Sequence, residues 1–115
     1  MASPFSVEVA MSEAPAEAQA RAASALDEPA RLVGLRLTKR GAGELQYRPR
    51  VQFPFLLMLW HNLNREQMTV KFDPGTSGGT RVMISGAVAR SNHALAADPE
   101  HWSEALGVSP ADSQF

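Results

Sequence analysis

Strict alternation of apolar and polar residues recurs along this chain, and that period of two commits each stretch to a strand with one buried face. Phe5, Val7, Val9 and Met11 alternate with Ser6, Glu8 and Ala10. Val33, Leu35 and Leu37 alternate with Gly34, Arg36 and Thr38, and beyond Gly41-Ala42-Gly43 the pattern resumes, Leu45 and Tyr47 against Glu44, Gln46 and Arg48. Met68, Val70 and Phe72 alternate with Thr69 and Lys71, and the run Pro74 to Gly79 turns the chain into Val82, Ile84, Gly86 and Val88. The spacing predicts an N-terminal strand and two antiparallel hairpins.

Two segments read as helices instead. Ser12 is placed to cap one, with Glu13 near the positive end of its dipole and Pro15 in the first turn. Its small-residue stripe is Ala18, Ala22, Ala25 and Leu26, and Pro29 sets its end near Glu28. Asp98 caps the second, with Pro99 at its first position, Trp102, Ala105 and Leu106 on one face, and Gly107 at its end. Residues 91–97 extend it backward with a break at Pro99. The expected architecture is a two-layer α+β fold: an antiparallel sheet of about five to six strands with two helices on one face. A chain of 115 residues is the size of one domain; residues 1–107 are assigned to it and 108–115 to a flexible tail.

Composition removes several classes of chemistry. With no cysteine, disulfides, thiolate metal sites and cysteine nucleophiles are excluded. The first residues lack the basic and apolar regions of a signal peptide, and no apolar run reaches the length of a membrane span, so a cytoplasmic location is expected. Gly75-Thr76-Ser77-Gly78-Gly79 matches the letters of a nucleophile elbow but joins two strands, where a hairpin loop is the simpler reading. His61, His93 and His101 show no ligand spacing, and Asp98 or Glu100 with His101 shows no sign of a cleft that would tune an acid/base pair. No enzyme, metal or cofactor is expected.

Charge is sorted by block. Residues 1–30 and 91–115 each carry a net charge of -4, and residues 31–90 carry +7. If the apolar strand residues point inward, Arg36, Thr38 and Arg40 share the outer face with Gln46, Arg48 and Arg50, and Lys71 and Arg81 join them. The helical side is expected to be acidic and the uncovered face basic. Such a face can be no more than a solvated surface. As a binding surface it disfavours nucleic acid, because Phe5, Tyr47 and Phe72 are phased toward the core rather than outward to stack bases.

The run from Phe53 to Trp60, within residues 51–63, is continuously apolar and gives no period to read; Pro54 suits either a helix start or an edge strand. It is flanked by Arg48, Arg50 and Arg65, with Trp60 at its polar boundary, the composition of a segment that dips into a bilayer interface. A buried core element is the plainer alternative. The candidate binding surface is therefore Arg36, Arg48, Arg50, Phe53, Phe55, Trp60 and Arg65. The expected function is a non-enzymatic module for an apolar or amphipathic anionic partner, either an anionic lipid at the membrane periphery or an apolar small molecule. The alternative is a structural or interaction protein that uses residues 53–60 in a homo-oligomer or partner contact.

The order strand, helix, hairpin, apolar segment, hairpin, helix, with the stretch TVKFDPGTSGGTRVMISG in the later strands, resembles a group of small uncharacterised bacterial α+β proteins. In relatives of that kind the apolar segment can be a longer membrane hairpin. The layout is also similar to a reduced helix-grip fold of the polyketide-cyclase-like and START-like kind, which implies a curved sheet holding an apolar ligand beneath a C-terminal helix. Neither resemblance implies particular catalytic or binding residues.

Overall fold

The computed structural model describes residues 2–49, 66–75 and 78–108. Strand β1 (Ala2–Met11) leads into helices α1 (Pro15–Ala25) and α2 (Asp27–Leu32), followed by β2 (Leu35–Gly41), β3 (Glu44–Pro49), β4 (Gln67–Pro74) and β5 (Thr80–Ala89). A 3-10 turn (Arg90–Asn92), a one-turn helix α3 (His93–Ala96) and helix α4 (Pro99–Leu106) complete the described chain. The five strands form one sheet in the order β1-β5-β4-β3-β2, every pair antiparallel. This is the expected α+β class.

Both hairpins form where the alternation places them. The core face of the sheet carries Phe5, Val7, Val9 and Met11 from β1, Leu45 and Tyr47 from β3, Met68, Val70 and Phe72 from β4, and Val82, Ile84 and Val88 from β5, all buried. Against them pack Ala18, Ala22, Leu26 and Ala30 of the first helical segment with Ala96, Trp102 and Leu106 of the last, making one hydrophobic cluster. The small alanine stripe of α1 lets that helix lie close to the sheet, and Trp102 supplies bulk at the other side. The Trp102 indole N–H donates to the Ala96 carbonyl at 2.8 Å, so the ring is buried without stranding its donor.

Three local expectations need correction. The first helix does not run unbroken to Glu28; it ends at Ala25, and Pro29 sits early in α2, where its missing N–H falls among groups that lack an intrahelical partner anyway. Its N-cap is Ala14 rather than Ser12, whose hydroxyl instead donates to the Glu13 carboxylate at 3.4 Å. The C-terminal helix, in contrast, is capped as read, with the Asp98 side chain accepting from the Glu100 N–H and Gly107 at a positive φ of 71°. The third correction lies in β2. Its register with β3 shifts between Leu37 and Lys39, and Thr38 is the extra residue of the bulge. From there the phase inverts. Lys39, opposite Gln46, joins Arg36 on the outer face, while Arg40, opposite Leu45, belongs to the helical side.

Side chains tie the layers together. Gln19 of α1 holds the β2–β3 turn, accepting from the Gly43 N–H at 2.9 Å and donating to the Gly41 carbonyl at 2.7 Å. Arg21 joins α1 to both ends of its surroundings, pairing with Glu13 and donating to the Leu106 carbonyl at the end of α4. At the edge strand β1, the His93 ring meets the Pro4 carbonyl at 2.8 Å.

Candidate functional site

The face of the sheet away from the helices is built from the polar half of the alternation, and pairing arranges it in rows. At one end Asp73 stands opposite Arg81, and Glu44 opposite Lys71, which lies opposite Met83, itself opposite Glu8. Arg81 also pairs with Glu8 at 3.2 Å. The middle row is neutral apart from Lys39: Gln46, Thr69, Ser85 and Ser6 follow it across the sheet. At the opposite end Arg36 and Arg48 face each other directly across β2 and β3.

Cation and carboxylate are therefore matched at the first end and not at the second. Arg36, Lys39 and Arg48 are exposed, and among the described residues no ion pair engages any of them. Like charges directly opposite on neighbouring strands repel, so the Arg36–Arg48 pair lowers the stability of the sheet it sits on. The expectation of a basic outer face is thereby narrowed: the basic part is one corner, and Lys71 and Arg81 are balanced by Glu44, Asp73 and Glu8.

The strands also part at that corner. β3 and β4 pair from Glu44 with Lys71 only as far as Tyr47 with Met68, whereas β2–β3 pairing continues to Leu35 with Pro49 and β4–β5 pairing to Gln67 with Ala87. The gap is a cleft of about 100 Å³ lined by Gln46, Tyr47, Arg48, Gln67, Met68 and Thr69. On its other side β4 lies close against β5 at Gly86: a Cβ built there would lie 2.1 Å from the Gln67 carbonyl oxygen and 2.7 Å from the Met68 Cα, so the approach requires a bare glycine. Glu66, one residue out of phase with Gln67, turns its carboxylate to the Ala89 N–H at 3.2 Å.

Of the residues picked from the sequence, Arg36 and Arg48 are brought together by strand pairing. Arg50, Phe53, Phe55, Trp60 and Arg65 lie outside the described residues, as does the question of strand or helix for 51–63. What is described is where their segment is attached: β3 ends at Pro49 and β4 begins at Gln67, both at the corner that carries Arg48. Sequence reading missed Gln46 and Gln67 as cleft residues. Gln46 was phased outward in plain view, but nothing local signals that two strands will separate beside it.

The other candidates have structural employment. The His101 ring meets the Pro29 carbonyl at 3.1 Å and stands edge-on to Trp102, with ring centroids 4.7 Å apart. His93 is occupied with Pro4 as described above. Gly75 and Gly79 close the β4–β5 turn through a 2.8 Å backbone hydrogen bond, and that turn leads into a strand, not a helix; Thr76 and Ser77 lie outside the described residues. Among the described residues no three His, Asp or Glu side chains gather closely enough to hold a metal ion. No described helix is long and apolar enough to cross a membrane. Comparison with protein-family models, with curated proteins and with solved structures finds no match to the chain.

Proposed function

We propose that this protein is a non-enzymatic binding module that engages an anionic, amphipathic partner, namely an anionic lipid surface, through the Arg36–Arg48 corner of its sheet. The observation that carries the reading is the direct opposition of these two arginines across β2 and β3, with no ion pair to a carboxylate among the described residues. A repulsive pair that weakens the free protein is relieved when a negative group arrives, so the same contact that costs folding energy contributes to binding.

The attachment points of residues 50–66 support the amphipathic half of the proposal. The chain leaves and re-enters the sheet at the basic corner, and it carries Phe53, Phe55 and Trp60 between Arg50 and Arg65. Apolar side chains with flanking arginines in one stretch of sequence supply the paired signals that interfacial attachment needs, since neither a few cations nor one short apolar run holds a membrane alone.

Co-sedimentation with vesicles rich in phosphatidylserine tests this. A cation near an anionic bilayer contributes about 1 kcal/mol, so Arg36→Ala with Arg48→Ala should weaken binding by roughly thirty-fold. Binding should also fall steeply toward ~1 M salt, where the Debye length is only about 3 Å. Vesicle binding that is absent at low salt, or indifferent to the double substitution, refutes the proposal. Vesicle-independent self-association in sedimentation experiments would instead favour a homo-oligomer contact.

A further inference from the structure

The cleft beside Arg48 is more specific than a basic surface. A lipid surface needs only positive charge, but here residues with neutral donors accompany the charge: Gln46, Gln67 and Thr69 line the opening together with Arg48, and Arg36 stands opposite Arg48 one strand further out. Among the described residues no Asp or Glu lines it. An opening of about 100 Å³ has room for a few water molecules, enough for one tetrahedral oxyanion.

We infer that the β3–β4 cleft is a binding site for a single phosphate group in its monoester form, which presents two negative charges and three terminal oxygens. Two neighbouring guanidinium groups match such a group, because each can donate a pair of parallel N–H bonds to its oxygens. The amides and the hydroxyl supply further donors without adding charge, and they favour a terminal group that can be surrounded over a diester threaded through its chain. The site rests on the proposed reading of this corner as an anion-binding surface and names the chemistry it selects. A lipid headgroup and a soluble phosphomonoester share that chemistry.

Inorganic phosphate titrated into the full chain, with backbone amide shifts observed by NMR, tests the site directly. Saturable shifts centred on Gln46, Arg48, Gln67 and Thr69 are expected, with affinity at least ten-fold lower in Arg48→Ala and clearly lower in Gln67→Leu, which leaves the charge untouched. Both positions are open to solvent in part or in full, and retained dispersion of the remaining amide signals confirms that each variant is folded. Absence of saturation, or saturation unchanged in both variants, overturns the inference.

Vesicles separate it from the broader reading. Phosphatidylcholine vesicles carrying phosphatidic acid, a monoester, should bind several-fold more tightly than vesicles carrying phosphatidylglycerol, a diester, at matched surface charge, and Gln67→Leu should abolish that preference. Equal binding to both lipids with no saturable phosphate shifts would overturn the cleft and leave the lipid-surface reading standing. Saturable phosphate shifts without vesicle binding would uphold the cleft, identify a soluble monoester as the source, and end the lipid-surface reading.

Discussion

Tyr47 is fully buried, yet its hydroxyl has no hydrogen-bond partner among the described residues. Burial pushes the phenol up to about 12, the nearby negative charge of Asp27 adds to the rise, and Arg40 partly offsets it. A buried hydroxyl without a partner costs about 1–3 kcal/mol, so Tyr47→Phe, which keeps the ring and removes the oxygen, should leave stability unchanged or raise it by about 1 kcal/mol in urea unfolding. Glu13 makes the opposite case. The hydrogen bond from Arg21 holds its carboxyl below the usual value. A depressed carboxyl contributes stability above its unfolded-state pKa and loses that contribution as pH falls through the folded-state value. Glu13→Gln should therefore be weaker than the parent protein at neutral pH and indistinguishable from it in acid. The pair is open to water, which limits the difference to about 1 kcal/mol.

At the scale of elements, alternation was a sound guide to where strands lie and which side each residue takes, until the backbone added a residue. Nothing around Thr38 marks a bulge: no glycine or proline interrupts Leu37-Thr38-Lys39-Arg40, and the side chain that stabilises it does so only once β3 is present, with the Thr38 hydroxyl donating to the Gln46 carbonyl at 3.2 Å. Arg40 was accordingly assigned to the wrong face and Lys39 left out of the basic set. The same limit applies to the break between α1 and α2. Proline excludes helix only where an N–H or the preceding turn is needed, and a helix that restarts at Asp27 needs neither at Pro29. Gly86 is the strand position with the sharpest consequence. A methyl group there meets backbone atoms that cannot move alone, so Gly86→Ala should lower stability by about 1–3 kcal/mol, read as a reduced midpoint in urea at unchanged slope.

For the molecule as a whole, the charge blocks of the sequence become layers only in part. The helical side does collect carboxylates, with Glu13, Glu17, Asp27, Glu28, Asp98, Glu100 and Glu104 against Arg21, Arg31 and Arg40. The outer face divides along the strands, because pairing sets Glu44, Asp73 and Glu8 among the cations of one end and leaves Arg36 and Arg48 together at the other. Residue counts carry no register, so this division could not be read before the strands were paired. The cleft was less legible still, since it lies where β3–β4 pairing stops at Tyr47 and Met68, and no residue pattern marks that point. The strand order has a consequence in time. Ala2 pairs with Ala89, while β2 through β5 are joined to one another by nearer neighbours in the chain. Contacts so distant in sequence close late, after the loop between them has been drawn in. During synthesis β1 thus emerges well before its partner, and Phe5, Val7 and Val9 cannot be covered by β5 until Thr80–Ala89 has followed them out of the ribosome.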